Sequence, residues 1–395
     1  MNRFKLKDHL QGDWHIWLLT IFLSLVGILV VYSSISALVY RSSGSPLTII
    51  LKHSFFVFLG LFITYLVSRQ NFLNLVPIAK ILLWLAPILL IYTLLRGTEV
   101  GGAKRWISIM GLSFQTSDLI RLVLITNLAA MLAKKQNQMH NIKSLLGITI
   151  WTGLLVGLLA MSSFSTSVIL GGTCLMLMII GGVPFKHISR MLLTITIGLS
   201  LALGGSLVYN RVTGQQIGRV QTVIDRIESF VKKDLDGNKL IGGEVGSVSM
   251  QQDEAIAAVA RGGIFGVGAG KSAIKHRMAE SYSDFIYAIL VEEWGLFGGL
   301  VIMAAYLYLL IRGLINIQDT KQAFGGLLSI GLTLSIVFQA FAHMIINVGL
   351  GPVTGQTLPL ISKGGSSILF TSIALGIVLS VSRSQELAES SIKPK

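Results

Sequence analysis

Ten apolar runs of membrane-spanning length follow one another along this chain, near residues 16–38, 49–68, 74–95, 117–133, 145–162, 165–183, 189–209, 284–311, 323–346 and 365–382. A helix needs about 20 apolar residues to cross the hydrocarbon of a bilayer, and these runs supply that length. Composition agrees. Of 395 residues, 52% are hydrophobic and only 13% charged, an excess that fits no ordinary soluble core. The expected fold is an all-α polytopic membrane protein, one integral domain over residues 1–395. Residues 1–12 are polar and basic and precede a run too long for a signal peptide, with no clear small-residue cleavage site. That run is therefore read as the first spanning helix.

An even count of helices puts both termini on one side, and charge decides which. With the N-terminus inside, the cytoplasmic segments hold Arg3, Lys5, Lys7, Arg69, Lys134, Lys135, Lys143, Lys186, Arg190, Arg312, Lys321, Arg383, Lys393 and Lys395. The short outer loops hold fewer: Arg41, Lys52, Arg96, Lys104, Arg105 and Lys363. Both termini are thus expected in the cytoplasm. The net charge of +14 is read as this loop bias, because no basic helix or RNA-binding signature accompanies it. Nucleic acid is not an expected partner; membrane lipid is. The single cysteine, Cys174, lies in an apolar run, so no intramolecular disulfide or cysteine metal cluster is available. The seven histidines show no pair at metal spacing.

This orientation places three irregular segments outside: Arg96 to Ser117, a long loop between the seventh and eighth helices from Asn210 to Ser283, and Asn347 to Gly364. Loops on a rigid scaffold carry function. In the first, Lys104 and Arg105 are candidates for phosphate and Trp106 for a sugar ring or lipid. An interfacial Trp with headgroup cations is the plainer reading. Ser117 and Asp118 look like a helix start, with Arg121 one turn on as the partner of Asp118. The long loop ends in a glycine-rich stretch, Arg261 to Ser272. Its Gly270-Lys271-Ser272 lacks the glycine a phosphate loop needs, since Phe265 stands there. These glycines are expected to serve a re-entrant or close-packed backbone. The third segment, with its glycines, prolines, Thr354, Gln356, Lys363 and Ser366, reads as an ordered loop offering hydrogen bonds.

Asp284 stands where the long loop meets the eighth run and is expected to open that helix. It is either a carboxylate complementing the helix dipole or a general base at a partly desolvated surface. Glu292 and Glu293 follow roughly 12 Å deeper at 1.5 Å per residue. Ionisable groups at such depth are functional-site candidates by default. For Glu292 the preferred reading is a structural partner for a basic residue on another helix.

Together these segments resemble the SEDS family of bacterial membrane proteins, which includes FtsW, RodA and SpoVE. Gly102 to Asp118 is similar to the family's Gly-Ala-Arg/Lys-Arg-Trp followed by Phe-Gln-Pro-Ser-Glu. Ser283 to Gly295 looks like its Thr-Asp-Phe-Ile-Phe-Ala with a following Glu-Glu-x-Gly. Pro352 to Ser367 is similar to its Pro-x-x-Gly-x-Thr-Leu-Pro-x-Ile-Ser-x-Gly-Gly-Ser-Ser. The sequence departs from the family where Thr116 replaces Pro, Asp118 replaces Glu, Arg121 replaces Lys and Lys363 replaces Tyr, and where Met278-Ala279 stands for Leu-Pro.

The resemblance implies a polymerase of peptidoglycan glycan strands from lipid II in the bacterial cytoplasmic membrane, with its active site at the outer face. It implies Asp284 as the catalytic acidic residue and a class B penicillin-binding protein as the crosslinking partner. Gln356 and the Tyr-Ser-Asp form of the second motif incline the resemblance to the FtsW branch, hence to division complexes rather than RodA-type elongation. On that chemistry Asp284 takes the proton of the acceptor hydroxyl, and Lys104, Arg105 and Arg219 counter the leaving pyrophosphate. A divalent cation such as Mg²⁺ is an alternative neutraliser. A lipid flippase is the rival reading. It favours broken helices near the midplane, whereas breaks are evident in this sequence only at the outer face.

Overall fold

The computed structural model describes residues 10–41, 45–100, 103–109, 112–136, 139, 142–193, 247–278, 281–319 and 322–392. The seventh run beyond residue 193 and the long loop up to residue 246, with Arg219, lie outside the described residues. The helices are α1 (Trp14–Arg41), α2 (Pro46–Arg69), α3 (Leu75–Arg96), α4 (Thr116–Lys134), α5 (Ile142–Ser162), α6 (Phe164–Ile180), α7 (Ser247–Gly262), α8 (Ile286–Asp319), α9 (Ala323–Asn347) and α10 (Gly365–Ile392). Among the described residues, eight helices are long and apolar enough to cross a membrane: α1 to α5 and α8 to α10. The helix α6 is apolar but shorter, and residues 185–193 are helical where the seventh run begins.

Three local expectations change. Arg96 to Ser117 is not irregular: strands β1 (Thr98–Val100), β2 (Ala103–Ile109) and β3 (Leu112–Gln115) form an antiparallel sheet in the order β1-β2-β3. Its pairing sets Trp106 opposite Thr98 on one side and Gln115 on the other. An excursion with no helix ladder must pair its backbone groups elsewhere, and strand pairing does so. The helix α8 begins at Ile286, so Asp284 precedes it on a turn over residues 281–285. Finally, α8 is not one continuous helix: Gly295 has φ 73 and ψ −176 and breaks it, about 14 Å from its start at 1.5 Å per residue.

The chain forms two compact units. One contains residues up to Asn71, Ser229–Asn316 and Ile336–Lys395; the other contains Phe72–Glu228 and Ile317–Ser335. In the first, α2 and α10 approach closely because their contact is small and polar. A Cβ on Gly60 would lie 2.6 Å from Ser372 Oγ, and one on Gly376 would lie 2.8 Å from Val67 Cβ. Thr64 Oγ1 donates to Ser372 O at 3.1 Å across the same contact. Lipid offers no hydrophobic drive for helix association, so close packing and interhelical hydrogen bonds hold such pairs. In the second unit, Asn127 Nδ2 reaches from α4 to Ala79 O on α3 at 2.7 Å. The rings of Trp84 and Trp151 meet edge to face with centroids 4.8 Å apart.

Candidate active site

The turn that carries Asp284 is fixed at three successive carbonyls. Lys363 N donates to Tyr282 O at 3.0 Å. Ser362 Oγ donates to Ser283 O at 2.7 Å, and Asn347 Nδ2 to Asp284 O at 3.0 Å. Every donor comes from the end of α9 or from the segment after it. A turn that makes no repeating ladder is thus given a single geometry by its neighbour. Beneath it, Phe285, Ala288 and Ile289 pack with Ala255 and Ala258 of α7 and with Ile274 and Met278. The alanines of α7 let that helix lie close. The side chain of Asp284 remains partly exposed, with Ser283 Oγ donating to its Oδ1 at 2.9 Å.

The segment after α9 is itself ordered by side chains. Gln252 Nε2 donates to Gly351 O at 2.7 Å, and Gln339 Nε2 to Thr357 O at 2.8 Å. His343 Nδ1 lies 2.7 Å from Gln356 O, and the Tyr306 hydroxyl donates to Pro359 O. Gln356 and Ser366 are buried, and Thr354 is partly exposed. The Lys363 ammonium sits 4.6 Å from the centre of the Tyr282 ring, a cation–π contact. Asp284, Thr354, Gln356, Lys363 and Ser366 therefore belong to one compact unit.

Ten residues into α8 the design is different. The break at Gly295 frees the carbonyls of Glu292 and Glu293 and the amides of Leu296 and Phe297 from the helix ladder. The glycine-rich segment takes all four. Val267 N and Gly268 N donate to Glu292 O and Glu293 O at 2.9 and 3.0 Å, while Leu296 N and Phe297 N donate to Gly263 O and Ile264 O at 2.9 and 3.2 Å. Only glycine permits this approach: a Cβ on Gly262 would lie 2.1 Å from Val291 O, and one on Gly295 would lie 2.2 Å from Ile264 O. The close-packed backbone expected of these glycines is present, and backbone groups freed within the apolar run of α8 are re-satisfied by protein.

The two glutamates lock this joint. Glu292, wholly buried, accepts from Ser272 Oγ and, at 3.1 Å, from Ala273 N. Arg261 Nη1, at the end of α7, lies 3.6 Å away. Glu293 accepts from the hydroxyl of Ser33 on α1 and faces Lys275 Nζ at 4.0 Å. Lys275 is buried and also donates to Ser33 O and Gly270 O, at 3.0 and 2.8 Å. Sequence reasoning did not single out Lys275, Ser362 or Asn347, and it weighed Ser272 only as part of a rejected phosphate loop. One signal was present: an asparagine, Asn347, closing an apolar run ahead of glycine.

In the other unit, β2 carries Lys104, Arg105 and Trp106. Arg105 and Trp106 are partly exposed and Ile107 is buried. Asp118 and Arg121 are buried at the start of α4, with Arg121 Nη2 3.3 Å from Asp118 Oδ1. Thr116 and Thr93 share a hydroxyl hydrogen bond of 2.8 Å. Among the described residues, no group of three or more His, Cys, Asp or Glu could hold a metal ion.

Comparison with known proteins gives this arrangement its relatives. Residues 13–387 match the family model described as "Cell cycle protein", FtsW/RodA/SpoVE. A Coxiella burnetii protein named probable peptidoglycan glycosyltransferase FtsW is 28% identical, over 96% of this chain and 99% of that one. One of the same name from Nitrosococcus halophilus is 31% identical, over 97% and 96%. A structure described as "Structural coordination of polymerization and crosslinking by a peptidoglycan synthase complex" contains a chain with the same fold. Its TM-score is 0.72 at 22% identity, over 95% of this chain and 98% of that one. The rod shape determining protein RodA of Thermus thermophilus shares the fold with a TM-score of 0.66 at 23% identity, over 96% and 99%. The matched span includes the sheet, the Asp284 turn and the segment after α9 alike, so this multi-pass membrane chain belongs to the FtsW/RodA/SpoVE family.

Proposed function

We propose that this chain is a peptidoglycan glycosyltransferase of the FtsW type. It builds glycan strands from lipid II at the outer face of the bacterial cytoplasmic membrane, with Asp284 as general base. The names of the near full-length relatives support the reaction class and the division setting over elongation. The observation that carries the site is the contrast between the turn before α8 and the helix itself: Asp284 offers a partly exposed carboxylate on a turn held at three carbonyls, while Glu292 and Glu293 in α8 have internal partners.

In the reaction, Asp284 takes the proton of a sugar hydroxyl on lipid II. That oxygen attacks the anomeric carbon of the growing strand, the bond to the lipid pyrophosphate breaks, and the configuration inverts. Positioned base catalysis contributes about 10²–10⁴-fold. Lys104 and Arg105, with Arg219 outside the described residues, counter the departing charge, and Trp106 packs sugar or lipid. Thr354, Gln356, Lys363 and Ser366 supply hydrogen bonds to substrate. A divalent cation, if one takes part, would be held by the Asp284 carboxylate and would neutralise substrate phosphate charge there. A class B penicillin-binding protein supplies crosslinking, in keeping with the synthase complex found for a structural relative.

The deciding measurement is polymerisation of purified lipid II by the reconstituted protein, alone and with that partner. Asp284→Asn keeps shape but cannot accept the proton, and a folded variant with near-normal polymerisation removes the base. Neutralising Lys104 and Arg105 to Gln is expected to raise the lipid II concentration needed for half-maximal rate. Unchanged kinetics reduces them to headgroup anchors. Cysteines at Ser249 and Pro352 in a Cys174→Ser background are expected to react with an impermeant thiol reagent added outside. Reaction only from the inside inverts the topology.

A lipid flippase remains the second reading, since α8 breaks inside its apolar span and transporters use such breaks as ion or substrate sites. Here both oxygens of Glu292 and one of Glu293 already have protein partners, and the freed backbone groups are paired. The break therefore serves as a joint.

A further inference from the structure

We infer that Asn347 is a positioning residue for Asp284: one buried side-chain amide joins the peptide of the base to the first turn of α8 and the last turn of α9. The inference rests on Asp284 being the base. Asn347 is wholly buried. Its Nδ2 donates to Asp284 O at 3.0 Å and to His343 O at 2.8 Å, while its Oδ1 accepts from Ala288 N at 3.0 Å. Two carbonyls and one amide surround it, so only one orientation of the side-chain amide satisfies all three.

Each contact has a distinct consequence. Ala288 N is one of the first amides of α8, and its backbone partner is Phe285 O at 3.1 Å, a single-turn bond rather than a full helix rung. Asn347 Oδ1 thus fixes where α8 starts. The bond to Asp284 O fixes the peptide plane on which the carboxylate stands. The bond to His343 O ties both to α9, whose end is set by Leu350 N donating to Ile345 O at 2.9 Å with Gly349 at φ 84. Ser362 and Lys363 hold the two carbonyls before Asp284. Asn347 holds the backbone of the residue that does the chemistry, while the carboxylate itself accepts from Ser283 Oγ. A misplacement of about 1 Å at a reacting group costs on the order of 100-fold in rate.

The test compares Asn347→Ala, Asn347→Asp and Asp284→Asn with the full-length protein, reconstituted with lipid II and followed across pH. Asn347→Ala is expected to lower kcat about 10- to 100-fold with the lipid II dependence unchanged, because substrate contacts stay intact. Asn347→Asp keeps the acceptor for Ala288 N and, once protonated, regains one donor. Its activity relative to the unaltered protein is expected to rise as pH falls, a signature that simple loss of fold does not produce. Should the alanine variant fail to fold, this pH dependence carries the test. Normal kcat in folded Asn347→Ala, or a flat ratio for Asn347→Asp, overturns the inference while inactive Asp284→Asn still supports the base. An active Asp284→Asn removes the base itself, and the role of Asn347 with it.

Discussion

The turn at Asp284, just before α8, and the joint at Gly295, eleven residues on within it, solve opposite problems. At the joint, side chains are absent where backbones meet, and four freed peptide groups are matched by four from the glycine-rich segment. Its carboxylates are buried and hydrogen-bonded within the protein. At the turn, side chains supply the order: Ser362 and Asn347 hold carbonyls by hydroxyl and amide, helped by the amide of Lys363. Its carboxylate is left partly exposed. Acids within ten residues of one another thus divide into two that hold the fold and one whose carboxylate stays partly exposed. Burial with complete partnering costs a carboxylate its reactivity, whereas an immobile backbone under an accessible carboxylate favours proton transfer.

If this division is right, each region fails in its own way. The largest effect is expected from Asp284→Asn: polymerisation falls by about 10²–10⁴-fold while the unfolding temperature in detergent stays within a few degrees. A loss of fold in that variant would erase the distinction. Next comes Gly295→Ala. Its Cβ would meet Ile264 O at 2.2 Å and its φ is positive, so backbone must separate and all four bridging bonds are at risk. Destabilisation of several kcal/mol is expected, read as protein that fails to accumulate or extracts as aggregate. Glu292→Gln is milder. Its amide keeps an acceptor for Ala273 N but loses the charge facing Ser272 and Arg261, worth about 1–3 kcal/mol by thermal unfolding. Retained rate per folded molecule would separate it from Asp284. Lys363→Met should do least, since one partly exposed cation–π contact contributes about 0.5–1 kcal/mol. A loss of rate without loss of stability there is the outcome expected of the substrate contact proposed for Lys363, and an unchanged rate would leave it the cation–π contact alone.

The sequence by itself determined the helical framework, the family and the identity of the acid at the mouth of α8. Apolar length is a one-dimensional property, and bilayer thickness converts it directly into helices. The i, i+3 spacing named Asp118 and Arg121 as partners because a single helical turn brings them together. Glycine content announced a close backbone approach between Arg261 and Ser272 but not what is approached, since that surface lies more than twenty residues on. Only the tertiary structure decided that α8 breaks at Gly295, that the broken ladder is completed by the glycine-rich segment, and that Lys275 and Ser33 close over Glu293. Only it showed Asn347 beneath Asp284, 63 residues away. These are contacts between segments remote in sequence. No local pattern encodes them, because each depends on where a whole helix ends and on which carbonyl is left unpaired when it does.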